Sequence, residues 1–392
     1  MKKIVYIAFL IVSALAITVG CKKPFMPSVI STSSSFLVVE GIINTGQDST
    51  IIKLSRTVSL SSTTTSKPEL NAIVTVESDA NATYPLTETG NGSYAVPGLN
   101  LSADHKYRLD ITTSDNVVYQ SDFVPVKNAP PIDSVNFIIK SDGLNINVNT
   151  HDPANKTIYY RWTYDETWII HSFFDSKEKL ILVPFDTIVF RPLSEQIYEC
   201  WQSHLANVIV LGSSAKLKQD IITQTQLTSV GSTSEKLSDR YSILVNQYAL
   251  TEDAYNYWQQ LKKNTEQLGS IFDAQPSEII GNIHRVGKAS EPVLGYISAG
   301  SFSQSRIFID NRKLPAWAAP PIDGCPLHYF PHSDANGIDE VKTYLFLGFE
   351  IPITSVTPPG SSVIQGYTAS YPNCVDCTLR GSNKRPSFWI DD

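Results

Sequence analysis

The sequence predicts a mainly β protein in two parts: an N-terminal antiparallel β-sandwich of immunoglobulin-like or transthyretin-like type, then a larger β-rich domain carrying one prominent helix. Three observations predict it. Between Phe36 and Val126 the chain reads as about seven short apolar runs with a period of two, separated by turn residues. At Pro130–Pro131 that pattern breaks, because proline cannot donate within a ladder and restricts the residue before it. Beyond the break only one long stretch, about 251–268, carries a helical period.

The chain starts with a different kind of segment. Lys2 and Lys3 precede an uncharged apolar run from Ile4 to Val19, which ends at Gly20 and Cys21. A basic start, an apolar core of this length and a small residue before cysteine have the form of a bacterial lipoprotein signal. Residues 1–20 are therefore expected to be cleaved and Cys21 to be lipidated, anchoring the protein to a membrane through its N-terminal lipid. Losing Lys2 and Lys3 would shift the formal charge from −7 to −9. The following stretch, 21–35, is polar and Ser-rich and is expected to be a flexible tether.

The sandwich is expected over 36–128. "FLVVEGII", "AIVTVES" and "KYRLDITT" show its logic: Ala72, Val74 and Val76, or Tyr107, Leu109 and Ile111, share a face, while Ile73 points the other way. "ETGNGS" and "TSDN" supply turns. No Cys–Trp–Cys core marks a true immunoglobulin domain.

The second domain is expected over 129–392. "SVNFIIKS" and "LNINVNT" flank Asp142–Gly143, a favoured two-residue hairpin turn. "TIYYRWTYDETWII" sets Tyr160, Trp162 and Tyr164 on one face and Tyr159, Arg161 and Thr163 on the other. Further strands are expected near 180–190, 207–212, 241–249, 294–302 and 305–310. In the helix, Thr251 is the cap, Glu252 and Asp253 suit the positive end, and Gly269 is the stop. Ala254, Trp258, Leu261, Thr265 and Leu268 form the stripe expected to pack on the second sheet.

Length and composition bound the rest. A chain of 392 residues exceeds a single core, and 42% hydrophobic content belongs to a buried globular protein, not a disordered one. With 31 basic against 38 acidic residues and no cationic cluster, nucleic acid is not an expected partner.

If lipid consumes Cys21, four cysteines remain: Cys200, Cys325, Cys374 and Cys377. An even number in an exported chain points to disulfides. The preferred pairing is Cys374–Cys377 with Cys200–Cys325, and the next is a bridge from the tail to Cys325. A redox role for Cys374 and Cys377 would need a thioredoxin-like context that the irregular tail lacks. The lesser alternative is zinc held by Cys325, His328, His332, Cys374 and Cys377. No cofactor is expected. Asp334, Asn336, Asp339 and Glu340 around Gly337 could offer oxygens to calcium, but the spacing is not that of an EF-hand and a solvated turn is preferred. The aromatics of "YYRWTYDETW" could stack on a sugar or peptide ligand, although alternation on a strand more often marks core. His151 beside Asp152 has no nucleophile nearby in sequence. Local hydrolase, phosphate-loop and dinucleotide motifs are missing.

Four stretches carry a family resemblance: "VVEGIIN" with "IKLSRTVSL"; "PPIDSV"; the long block from "YSILVNQYALTEDAYNYWQQ" through "EPVLGYISAGSFSQSRIFI"; and the closing "CVDCTLRGSNKRPSFW". Together they resemble the lipoproteins of domain-of-unknown-function 4249, typical of the Bacteroidetes, across nearly all of the mature chain. The sequence departs from them at Gly381–Ser382, where the family usually carries Gly-Gly. The resemblance implies an outer-membrane lipoprotein, on the periplasmic or the cell-surface face, encoded beside TonB-dependent receptors. It implies no catalytic residues. The expected function is thus a ligand-binding or accessory partner of such a receptor, without chemistry. A surface adhesion or structural module is the alternative, and an extracellular hydrolase with a nonlocal site is a weaker third.

Overall fold

Alternation dictates the first sheet. Strand Leu37–Asn44 turns Leu37, Val39 and Ile43 inward, and its partner Thr50–Arg56 buries Ile52 and Leu54 in an antiparallel register that sets Leu37 opposite Arg56. Strand Ile73–Ser78 buries Val74 and Val76 and leaves Ile73 68% exposed, while Lys106–Thr112 buries Tyr107, Leu109 and Ile111. The computed structural model describes residues 35–58, 66–183, 186–266, 279–317 and 324–390. The expected signal segment, Cys21, the tether, and Leu268 and Gly269 of the helix lie outside the described residues. Among those described, no helix is long and apolar enough to cross a membrane.

The protein is mainly β, as the sequence predicts. In the first region the two faces of the expected sandwich are joined into one curled sheet. Strand Thr83–Gly90 makes the corner: its first half pairs with Ile73–Ser78, and its second half pairs with Ser93–Val96 in a register that shifts between Glu88 and Gly90. A strand that changes partners along its length lets a twisted sheet wrap its own core.

Two strands of this sheet come from far along the chain. Ile283–Arg285 pairs antiparallel with Val118–Ser121, and Ala299–Gly300 pairs parallel with Ile43–Asn44. The strand expected at 294–302 is therefore divided, its first part serving the first sheet and its end beginning Phe302–Asp310 in the second. Ile283, Val293, Ile297 and Ala299 complete the first core. Glycine permits the approach: at Gly295 (φ +136°) a Cβ would lie 2.1 Å from the Val39 carbonyl oxygen.

The second region is built on a sandwich of two sheets, beside which lie a smaller three-stranded sheet and a two-stranded hairpin. Ile132–Lys140, Gly143–His151 and Ile221–Gly231 form one. Glu199–Leu205, Tyr159–His171, Arg240–Leu250 and Phe302–Asp310 form the other, with Val210–Ser213 at one end. Tyr160, Trp162 and Tyr164 fill the core between them, as their alternation predicts. The buried indole of Trp162 donates to Gln247 Oε1 at 2.9 Å, and the Tyr160 hydroxyl donates to Asp220. The hairpin turn falls one residue earlier than expected. Lys140 pairs with Gly143, so Ser141–Asp142 is the loop, and Gly143 is a strand residue pressed against the Val230 carbonyl, where a Cβ would sit 2.2 Å away.

The helix runs Glu252–Glu266. Thr251 caps it as expected, its Oγ1 accepting from the Ala254 N–H at 3.2 Å. The buried face differs from the expected stripe: Ala254 and Tyr257 are buried, whereas Trp258 and Leu261 are only partly so. The reason is a second neighbour. The helix is wedged between the two regions, and Tyr257 packs on Tyr296 of the returning segment with ring centroids 5.2 Å apart.

The cysteines pair as Cys200–Cys377 and Cys325–Cys374. This corrects the preferred pairing and matches the next expectation, a tail-to-Cys325 bridge. Two short helical turns, Pro372–Val375 and Cys377–Leu379, send the sulfurs to different cores: Cys374 joins Ile353 and Val375, while Cys377 joins the main sandwich core. Peptide mapping without reduction should recover the Cys200 and Cys377 peptides linked, and a Cys374–Cys377 peptide would refute the assignment. Replacing Cys200 and Cys377 together by alanine should cost about 2–5 kcal/mol in chemical denaturation.

Candidate ligand cleft between the two regions

Most of the motifs singled out by sequence have structural roles. All four described cysteine sulfurs are in disulfides, so none is a thiolate ligand for zinc. His328 Nδ1 lies 2.8 Å from Glu350 Oε1, and His332 Nδ1 lies 3.3 Å from Asp339 Oδ2. The candidate calcium residues build a turn. Asp334 accepts from the N–H groups of Asn336 and Ile338, Gly337 adopts φ +77°, and Asp339 caps the short helix that begins at Glu340. No cluster of three or more metal-ligating side chains occurs among the described residues. His151 faces Asp133 at 2.8 Å on the surface. Tyr160, Trp162, Tyr164 and Trp168 are core, with Tyr159 stacked on Tyr255 of the helix at 4.8 Å.

The residue that stands apart is Arg161. Strand alternation puts it on the outer face of its sheet, directly across from Tyr248. The helix crosses this face and lays Trp258 over the guanidinium, its carbon 3.6 Å from the ring centroid; the Tyr248 ring lies at 5.7 Å. The opposite wall is the outward-facing row of the first strand, Val38, Glu40 and Ile42, and the returning segment from Leu294 to Ser298 closes one side. Between them is a cavity of about 510 Å³, within the range of small-molecule sites, and largely apolar in its lining.

Arg161 has an unusual electrostatic setting. Its Nε is sealed from solvent and has no hydrogen-bond partner. No ion pair to Arg161 exists among the described residues. Several other arginines are matched by carboxylates: Arg56 with Glu69 at 2.6 Å, Arg108 with Glu77 at 2.7 Å, Arg380 with Glu235 at 2.7 Å. Burial lowers the Arg161 pKa to about 10, so the group is still cationic at neutral pH. Its attraction to the faces of Trp258 and Tyr248 is the compensation present. Beside it, burial raises the Tyr257 hydroxyl, opposed by a hydrogen bond with the Gly295 backbone and by Arg161 itself.

Alternation in the sequence sets Arg161 on the face opposite Tyr160, Trp162 and Tyr164, and the helical period sets Trp258 in a packing stripe; neither pattern assigns a binding role. Trp258 had a usable signal, as a large aromatic on a helix beside a sheet. Arg161 had none, since an arginine alternating with core aromatics normally faces water.

With this geometry in place, comparison with known proteins gives one identification. The chain belongs to the family defined as domain of unknown function DUF4249. The family model matches residues 22–306. That span takes in every described residue lining the cleft. It stops short of the expected coverage, leaving outside it the disulfide-bonded tail with Cys325, Cys374 and Cys377. No curated protein matches the chain.

A half-buried cation with its Nε sealed and no ion pair among the described residues opposes folding, while its loss forfeits only the aromatic contacts, worth about 0.5–2 kcal/mol. Arg161→Met should therefore fold with a melting temperature equal to or above that of the parent. A fall of several degrees in calorimetry would show that Arg161 has a structural partner.

Proposed function

We propose that this DUF4249 protein is a lipid-anchored, non-catalytic ligand-binding accessory of the bacterial outer membrane, working beside a TonB-dependent receptor and holding its ligand in the cleft between the two β regions. The observation that carries the binding role is the cavity itself, roofed by Trp258 and floored by an unpaired cation. A site kept at a cost to stability and lined mainly by apolar side chains has the character of a binding pocket. Its ionisable groups among the described residues are Arg161, Glu40 and tyrosines Tyr248, Tyr257 and Tyr296. Ser298 also lines the cleft, but no cysteine or histidine accompanies it among the described lining residues, so no Ser–His pair is assembled there, which favours binding over hydrolysis.

Placement in the envelope is supported by the Gly20–Cys21 junction and by the two disulfides, which persist in oxidising compartments. The receptor partnership rests on the family resemblance. Two measurements test the assignment. Intact-mass spectrometry of protein from native membranes should give a chain beginning at an acylated Cys21, and retention of Met1 would overturn the anchor. Affinity purification from mild-detergent extracts should bring down a β-barrel receptor in near-stoichiometric yield. Recovery of the protein alone would sink the partnership and leave the adhesion reading in its place.

A further inference from the structure

We infer that the cleft binds a small organic monoanion, a carboxylate on an apolar or aromatic body, with the carboxylate on Arg161 and the body against Trp258. This deepens the ligand-binding reading and rests on it. The charge follows from what the cavity lacks. A guanidinium presents five N–H donors in a planar fork that matches a carboxylate in bidentate fashion, and here no described residue accepts from it. A neutral ligand could accept a hydrogen bond but would leave the buried charge uncompensated. An anion supplies both.

The number of charges follows from the lining. Arg161 is the one guanidinium or ammonium among the described lining residues, and Glu40 contributes a carboxylate to the same wall. A phosphate ester or dicarboxylate would bring a second negative charge with no cation to meet it and with Glu40 to repel it. A cationic ligand would meet Arg161 itself.

The body of the ligand follows from the remaining walls. Val38, Ile42, Leu250, Leu261 and Leu294 offer aliphatic surface, and Trp258 and Tyr257 offer rings. A sugar, with a hydroxyl on nearly every carbon, would leave its polar groups unpaired against them. Straight-chain and aromatic acids share the required chemistry, and the experiment separates them.

The test is calorimetric titration of the full mature protein with matched series: decanoate, methyl decanoate and decylammonium; 2-naphthoate, its methyl ester and naphthalene-2-sulfonamide. Expected results are binding of at least one acid and a loss of about 10–100-fold on esterification, as removal of a hydrogen bond to a charged group predicts. Arg161→Met should abolish the preference for acid over ester while still binding the ester, and Arg161→Lys should restore part of it. Glu40→Gln should leave acid binding intact or tighten it. Equal affinity for acid and ester in the parent protein would overturn the anion assignment and leave the binding role standing. Tighter binding of the ammonium would overturn it in the same way. Failure of every compound, charged or neutral, to bind would overturn both.

Discussion

The pairing of the first strand with the returning segment is the contact on which the rest of the architecture depends. Val39 donates its N–H to the Leu294 carbonyl, Leu294 donates to Leu37, and Ile43 donates to Ser298, all within 2.8–2.9 Å. These bonds join residues separated by some 250 positions, with all of the second sandwich except strand Phe302–Asp310 in the loop between them. Closing such a loop has a large entropic cost, offset by burying Val293, Ile297 and Ala299 in the first core. The result fixes one region against the other. The helix is carried by the same segment through the Tyr257–Tyr296 contact, so the described walls of the cleft are linked by one closure.

The outer face of the five-stranded sheet shows what the cleft is by contrast. Arg161 and Arg306 both lie on that face, and each stacks on an aromatic ring at 3.6 Å. For Arg306 the ring is Phe388 of the C-terminal tail, and its Nη1 donates to Ser242 Oγ at 3.0 Å. That end of the face is sealed by the protein itself. Trp201 and Ser382 exchange backbone hydrogen bonds, and Trp389 packs edge-on to Trp201 and Phe308. The Cys200–Cys377 bridge holds the tail at its root. At the Arg161 end no such tail arrives among the described residues. The same local device, a cation stacked on a ring, is satisfied by the chain in one place and left open in the other.

Whatever depended on local order was legible in the sequence. Period-two burial at Val74 and Val76, or at Tyr160, Trp162 and Tyr164, follows from side chains alternating across a pleat, and the Thr251 cap follows from an oxygen three residues before an orphan N–H. Long-range choices were not legible. Nothing near Ala299 says that its parallel partner is Ile43, because each residue is an ordinary apolar strand former. Cys374 and Cys377 look like a local pair, yet the turn between them aims the sulfurs at separate cores. The helix stripe through Trp258 was read as a single packing face because one sheet was expected beneath it. A second neighbour on the Tyr257 side rotates the buried face and leaves Trp258 free for the cleft.

The cleft's chemistry stayed hidden for a related reason. An arginine on a strand is informative only once its surroundings are known, since water would satisfy all five donors and a carboxylate such as Glu69 beside Arg56 would satisfy several. Half-buried, with its Nε sealed and no acceptor among the described residues, Arg161 is a surface residue turned into an electrostatic demand. Random drift should discharge such a demand readily: methionine or leucine at this position would keep the contact with Trp258 and remove the desolvation cost. On the proposed reading, a guanidinium kept there, under an indole and against aliphatic walls, is kept for a ligand that arrives from outside.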